Sequence, residues 1–320
     1  MSALNPSVAF IICSEKGALE KKSILFAKSL RKFGGDLKDA PIYSLAPRAG
    51  RNISEDTLTS FKKLNVNHLY KPLNVKYSTY DFANKIITCT FFEKQLTEDI
   101  LVFCDSDQLV LGNLNELLLD QEDLAMQHVA IKGIGTNEKD ENANYWKKLY
   151  ELTNVKEPRH ITLSNSEQIL EYYNAGLIVV KRRLGLFEKW SENFDLVMQS
   201  QIRPTKGDFF IEQSVLSATI SAMELSVKVL PKGYNFHLLE SSDTAETIQK
   251  MEKKEISILH YHTSFNAPKK IELAKDYENS IFSWLNSELK NCGINEHLFL
   301  TAFEMNFNLN EEQLRSLFNK

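Results

Sequence analysis

The chain has 320 residues, of which 43% are hydrophobic and 25% are charged, a balance typical of globular proteins that excludes a mainly disordered chain. With 38 Lys and Arg residues against 42 Asp and Glu residues, the formal net charge is -4, which argues against nucleic acid as a partner. The length suffices for one large domain with an appended subdomain.

Three features of the sequence bear on its location. The first residues carry no basic segment followed by an apolar one, so we expect no signal peptide. No apolar run approaches the length of about 20 residues that a transmembrane helix needs. The four cysteines form no CxxC pair and most lie in apolar runs, which indicates a reducing compartment. We therefore expect a cytoplasmic protein, which could act on a lipid only from the inner face of the membrane.

The N-terminal half alternates between continuous apolar runs and amphipathic segments. The predicted strands are residues 8–13, 42–45, 67–70 and 100–104, and the predicted helices are residues 19–33, 54–64 and 80–96. Strands that alternate with helices are typical of a mostly parallel α/β sheet, whose ligands bind beyond the carboxyl ends of the strands.

The C-terminal half is less regular. It contains predicted strands at 124–129, 173–180, 227–230, 234–236 and 256–260, and predicted helices at 113–119, 186–197 and 208–216. The polar stretch 132–166 is predicted to form a loop-and-helix insertion at the wall of a ligand cleft. Its aromatic residues Trp146 and Tyr150 could stack on a sugar, although packing is the commoner role at helical spacing. Beyond Pro268 the pattern predicts helices to the end of the chain.

Two carboxylates follow the most apolar strand. Asp105 and Asp107 come directly after residues 100–104, where two adjacent anions could not be buried without a partner. Sharing a cation would resolve this, and hard carboxylate oxygens favour Mg²⁺ or Mn²⁺. The alternative is a solvated turn or a helix N-cap.

The run from Phe103 to Asp107 resembles the Asp-X-Asp signature of GT-A-fold glycosyltransferases, in particular the group of glycogenin and the bacterial lipopolysaccharide galactosyltransferases. Further landmarks follow in the same order over residues 8–265, among them Tyr234-Asn235 after a Leu-Pro pair. The resemblance implies a Rossmann-like, mixed and mostly parallel sheet flanked by helices. It implies a nucleotide-sugar-binding catalytic domain at 1–268, and the apolar pattern that follows predicts a C-terminal helical extension at 269–320.

The resemblance also implies a donor site and a metal site. Residues implied to contact the nucleotide sugar are Ser14, Glu15, Lys85, Asp105, Ser106, Asp107, Ala175, Gly176 and Lys269. Residues implied to act near the reacting sugar are Asn174, Glu212 and Gln213. Glu212 stands where the family usually has Asp. Mn²⁺ or Mg²⁺ would be held by Asp105, Asp107 and His260.

Several details stay open at this point. His262 competes with His260, because positions i and i+2 of a strand share a face. The Lys-Pro-Trp that usually follows the histidine is absent, so the register of Lys269 is uncertain. Arg48 and Arg51 could contact donor phosphates or nothing, and we favour the second. We expect the start of a helix to keep Glu212 ionised.

The sequence thus predicts a metal-dependent, retaining hexosyltransferase that uses a UDP-sugar. The acceptor would be a saccharide, a lipid-linked saccharide or a small molecule. One alternative is a nucleotidyltransferase of the same fold, although the loop Ser14-Glu15-Lys16-Gly17 is poorer in glycine than a triphosphate-binding loop. The other is a binding protein without activity, which would not require Glu212.

Overall fold

The computed structural model describes residues 6–205, 208–237 and 255–261, together with residues 284, 287 and 288. Its strands are β1 (Val8–Cys13), β2 (Ile42–Ala46), β3 (Val66–Tyr70), β4 (Ile100–Cys104), β5 (Gln108–Val110), β6 (Leu124–Met126), β7 (His160–Thr162), β8 (Gln168–Leu170), β9 (Leu177–Lys181), β10 (Val227–Val229), β11 (Phe236–His237) and β12 (Ile258–His260). Its helices are α1 (Ala18–Phe33), α2 (Glu55–Lys63), α3 (Ala83–Gln95), α4 (Ala143–Thr153), α5 (Leu186–Ser200) and α6 (Ile211–Ala222).

Seven strands form the central sheet, in the order β10-β6-β9-β4-β1-β2-β3. Strand β9 is antiparallel to its neighbours β4 and β6, and the other pairs are parallel. The predicted mixed, mostly parallel sheet flanked by helices is therefore confirmed. Because β9 runs against β4, its amino end lies beside the carboxyl end of β4, where Leu177 pairs with Cys104.

Both faces of this sheet are buried, which explains the continuous apolar runs. In β1, Ala9 and Ile11 pack into the core that contains the side chains of α3, α4, α5 and α6. Phe10 and Ile12 point to the other face, where α1 and α2 contribute Phe26 and Phe61.

A second, three-stranded sheet extends from the end of β4. Its order is β11-β12-β5, and β5 follows β4 after the short segment 105–107. Strand β12 is antiparallel to β5, with His260 opposite Gln108. This pairing brings His260, from late in the chain, close to the segment 105–107 that follows β4.

The insertion between β6 and β9 contains α4 and the hairpin β7-β8. The hairpin was not predicted, because His160, Thr162 and Gln168 face solvent and its apolar signal is correspondingly short. Trp146 is fully buried, and its indole Nε1 donates to the Ile134 carbonyl at 2.7 Å. Tyr150 is buried as well, so packing is the role of both aromatic residues in this structure.

Two other predicted helices are shorter than expected. The segment predicted at 113–119 is a 3-10 turn at Asn115–Leu117, and α3 begins three residues after the predicted start at Tyr80. The proposed boundary at 268 and most of the predicted helical extension lie outside the described residues. Of that extension, Trp284 packs edge-on against Phe33 at a centroid distance of 5.0 Å. Among the described helices, none has the length and apolar character needed to cross a bilayer.

Candidate active site

Two aspartates and a histidine meet at the carboxyl end of β4. Asp105 and Asp107 occupy the segment between β4 and β5, and His260 ends β12. One ligand atom from each residue lies within 4.8 Å of those of the other two. The His260 Nε2 atom is 3.0 Å from Asp107 Oδ1. The residues that the sequence suggested for a metal site are therefore neighbours in space.

The orientation of the His260 ring is set by Asn235. The ring Nδ1 lies 2.8 Å from Asn235 Oδ1, which also accepts a hydrogen bond from Gln108 Nε2 at 2.7 Å. Nδ1 is thus the donor, and Nε2 faces the carboxylate of Asp107. The neutral ring with its proton on Nδ1 presents Nε2 as an acceptor, which is the form in which an imidazole binds a metal. Two carboxylates and one oriented imidazole fit Mn²⁺ or Mg²⁺ as a donor set.

Each aspartate is paired with a lysine. Lys85 Nζ lies 3.1 Å from Asp105 Oδ1, and Lys22 Nζ lies 3.2 Å from Asp107 Oδ2. Lys85 also lies 3.4 Å from the Ala175 carbonyl oxygen. Although burial opposes its charged form, the adjacent carboxylates raise the pKa of Lys85 above its ordinary value. Lys85 was suggested by the resemblance, whereas the sequence contained no signal for Lys22.

Glu212 lies in the first turn of α6 and is buried, with 2% of its surface exposed. Its Oε1 is 3.8 Å from Lys85 Nζ, and its Oε2 accepts a hydrogen bond from the Tyr80 hydroxyl at 2.8 Å. Burial nevertheless raises the pKa of Glu212 from 4.5 to about 7. The expectation that the start of the helix keeps Glu212 ionised was wrong, because the loss of hydration outweighs the favourable helix terminus and the lysine.

The segment before β9 is held in place by side-chain amides. Asn174 Oδ1 accepts a hydrogen bond from the Gly176 amide at 2.8 Å and from Asn235 Nδ2 at 2.9 Å. Gln213 Oε1 accepts one from the Ala175 amide at 3.0 Å. Asn174 and Gln213, suggested as catalytic, thus position the backbone that faces the acidic cluster.

The exit of β1 is closed by an ion pair that the sequence did not reveal. Glu15 is almost fully buried, and its carboxylate accepts from Arg48 Nε at 2.8 Å and from the Arg48 backbone amide at 3.1 Å. Arg48 also pairs with Asp81. Arg48 therefore has partners within the protein, and the expectation that it does not contact donor phosphates stays a prediction. The Ser14 hydroxyl donates to Ser23 Oγ at 2.6 Å, so the side chains of Ser14 and Glu15 both have partners within the protein.

The remaining suggested residues divide into two groups. Ser106 is buried between the aspartates, and its hydroxyl donates to the carbonyl of Cys13 at the end of β1. Lys269 and the alternative ligand His262 lie outside the described residues. Besides Lys22, two contributors lacked a role in the sequence analysis: Asn235 was only a landmark, and Tyr80 was one aromatic residue among many in a predicted helix.

The fold described above belongs to a class of sugar-transferring enzymes. The family model described as "Rhodobacterales glycosyltransferase domain" matches residues 10–224, and the chain belongs to this family of glycosyltransferases. The match includes Asp105, Asp107 and Glu212. A search of curated proteins finds no match.

The chain is also similar to solved structures of glycosyltransferases. The apo form of GlyE from Streptococcus pneumoniae is 13% identical, with a TM-score of 0.49, over 91% of this chain and 62% of GlyE. LgtC, a galactosyltransferase in complex with donor and acceptor sugar analogues, is 15% identical, with a TM-score of 0.45, over 79% of this chain and 86% of LgtC. The apo bifunctional glycosyltransferase WbbM is 15% identical, with a TM-score of 0.46, over 82% of this chain and 46% of WbbM. The chain thus spans less than two thirds of GlyE and about half of WbbM.

Proposed function

We propose that this glycosyltransferase transfers a hexose from a UDP-sugar to a saccharide, a lipid-linked saccharide or a small-molecule acceptor, with Mn²⁺ or Mg²⁺ held by Asp105, Asp107 and His260. One observation carries the proposal: the ligand atoms of these three residues lie within 4.8 Å of one another at the carboxyl edge of the sheet. When bound there, a divalent cation supplies positive charge to the departing nucleoside diphosphate.

Lys85 links the acidic cluster to the buried carboxyl group of Glu212. Its Nζ lies 3.1 Å from Asp105 and 3.8 Å from Glu212, so a single ammonium group orients both. A positive group enclosed beside the metal ligands favours an anionic substrate, and the diphosphate of a nucleotide sugar is such a group.

Glu212 is the group that we assign to the reacting sugar. In its ionised form the carboxylate would stabilise the positive charge that develops at the anomeric carbon, or accept a hydrogen bond from the acceptor hydroxyl. Its pKa of about 7 keeps both protonation states accessible near neutral pH. Gln213 and Asn174 hold the adjacent backbone, which keeps the sugar-binding surface fixed relative to this carboxylate.

The donor and the stereochemistry come from the resemblance of the chain to the glycogenin and galactosyltransferase group, which retains the anomeric configuration. Both are open to direct measurement. A panel of nucleotide sugars in the presence of Mn²⁺ should identify one donor from which nucleoside diphosphate is released. The ¹H coupling constant at the anomeric position of the product then reports retention or inversion.

Replacement of the metal-binding residues tests the proposal. Asp105→Ala and Asp107→Ala should each abolish transfer and Mn²⁺-dependent binding of UDP, while Asp36→Ala, the same exchange at an exposed position, should change neither. Unchanged transfer in both site variants would rule out the metal site. Release of pyrophosphate from a nucleoside triphosphate and a sugar phosphate would instead identify a nucleotidyltransferase.

A further inference from the structure

Lys22 is a basic residue at the site that the resemblance did not assign. It lies in the second turn of α1, the helix that follows β1, and only 14% of its side chain is exposed. Its ammonium group is 3.2 Å from Asp107 Oδ2 and 5.8 Å from the centroid of the Tyr261 ring. The backbone amide of Tyr261 donates in turn to the Asp107 carbonyl at 3.1 Å. Lys22 is therefore part of the wall that surrounds the metal-binding carboxylates.

The charges of the two aspartates are balanced by two lysines while no divalent cation is bound. Two lysines, Lys22 and Lys85, face the two aspartates. A divalent cation on Asp105 and Asp107 would leave two surplus positive charges. The diphosphate of a nucleotide sugar carries two negative charges, so donor binding restores the balance.

The two lysines differ in the contacts that they would keep once a cation binds the aspartates. Lys85 is enclosed, because it also donates to the Ala175 carbonyl at 3.4 Å and lies 3.8 Å from Glu212. Lys22 lies on a different element, α1, and contacts the other aspartate, Asp107. Its four-carbon chain and three rotatable donors suit it to exchange one oxygen anion for another.

We propose that Lys22 is the counter-ion of Asp107 in the metal-free protein and binds the diphosphate of the donor when the divalent cation occupies the site. This inference rests on the proposed function. Lys22 thus competes with the metal before the donor arrives and cooperates with it afterwards. A purely structural lysine would not show this reversal of sign.

Binding measurements on the full chain separate the two effects. Lys22→Met keeps the apolar stem and removes the charge, Lys22→Arg keeps the charge, and Lys32→Met removes a charge from an exposed position of the same helix, about 15 Å further along. Mn²⁺ is titrated without nucleotide, and UDP is titrated at saturating Mn²⁺, both by calorimetry.

We expect Lys22→Met to bind Mn²⁺ alone about three- to tenfold more tightly than the wild type, because the competing cation is gone. It should bind UDP in the presence of Mn²⁺ at least about tenfold more weakly, because a charge-assisted contact to phosphate is lost. Lys22→Arg should bind UDP within about threefold of the wild type. Lys32→Met should match the wild type in both titrations.

The outcomes distinguish this inference from the proposed function. If wild-type protein binds UDP only with Mn²⁺ but Lys22→Met and Lys32→Met behave alike, the role of Lys22 is refuted and the proposed function stands. The role of Lys22 is also refuted if Lys22→Met weakens both titrations together, as a structural defect would. If the wild type shows no Mn²⁺-dependent binding of UDP, the proposed function itself fails.

Discussion

Tyr80 and Glu212 are joined by two hydrogen bonds: the Tyr80 hydroxyl donates to Glu212 Oε2 at 2.8 Å, and the Glu212 backbone amide donates to the Tyr80 hydroxyl at 3.3 Å. This reciprocal pair connects the segment before α3 to the first turn of α6 and fixes the carboxyl group inside the site. The hydroxyl favours the ionised form of Glu212, while burial favours the neutral form more strongly.

Stability should depend on pH through Glu212. Its pKa is 4.5 in the unfolded chain and about 7 in the folded protein, so between these values the folded state binds more protons. The free energy of unfolding should therefore decrease by about 3 kcal/mol as the pH rises from 4.5 through 7, and this contribution should level off about one pH unit above 7. Glu212→Gln lacks the ionisation, so its stability relative to the wild type should increase over the same range.

Urea denaturation of both proteins at pH 5 and pH 8 measures this effect, because a constant difference caused by the amide cancels between the two conditions. Glu151→Gln, the same exchange at an exposed position of α4, is the control. An equal stability difference between Glu212→Gln and the wild type at both pH values would contradict the assignment.

Tyr80→Phe should shift the pH dependence of activity. Loss of the hydroxyl removes a hydrogen bond that stabilises the carboxylate, so the pKa of Glu212 should rise further. The acidic limb of kcat/KM should move upward by about one pH unit. Tyr77→Phe is a matched control, since the Tyr77 hydroxyl donates to Asp195 outside the site. A limb that stays in place in Tyr80→Phe would exclude Glu212 as the titrating group.

Much of the sheet could be predicted from the sequence, because strands buried on both faces appear as continuous apolar runs. The runs in β1 and β4 predicted their bounds well. The direction of β9 could not be predicted in the same way, because the composition of a strand is the same whether it runs parallel or antiparallel. That direction decides the site, since it brings Asn174 and Gly176 to the carboxyl end of β4.

The acidic part of the site and Lys85 could be predicted from the sequence, whereas Lys22 could not. Asp105 and Asp107 are conspicuous because carboxylates rarely follow an apolar run without a partner. Lys22 is one of several lysines on an amphipathic helix, and only the docking of α1 against β5 places it beside Asp107. The protonation of Glu212 likewise depends on burial by distant elements, which a helix-terminus argument does not include.

Asn235 combines a left-handed backbone conformation with a side chain that orients the His260 ring. It has a left-handed backbone, with φ of 62°, and its side chain bonds to Gln108, His260 and Asn174. Asn235→Ala should lose these bonds and keep the unfavourable backbone, whereas Asn235→Gly should lose the bonds alone. We expect both to weaken Mn²⁺ binding about 10- to 100-fold. The glycine variant should be about 1 kcal/mol more stable than the alanine variant.

Calorimetric titration with Mn²⁺ and urea denaturation check these two expectations separately. Wild-type Mn²⁺ affinity in both variants would show that the His260 ring does not depend on Asn235. Equal stability of the two variants would show that the left-handed conformation carries no cost.

Gly176 is required by the space that His260 occupies. A Cβ atom at this position would lie 2.9 Å from His260 Cε1, too close for two carbon atoms, and 3.0 Å from Asn174 Oδ1, which is a tight contact. Gly176→Ala should therefore displace the imidazole from Asn235 and weaken Mn²⁺ binding by about tenfold or more. Gly112→Ala is the control, because its added Cβ would meet its nearest neighbours at 3.5 Å, an ordinary contact.

A double-mutant cycle identifies the cause of that loss. If the methyl group acts by displacing the imidazole, Gly176→Ala should have no further effect on Mn²⁺ affinity in a protein that already carries His260→Ala. An undiminished effect in that background would mean that the alanine disturbs the aspartates or the backbone instead. The cycle therefore tests whether the clash at Gly176 reaches the metal site through the His260 side chain.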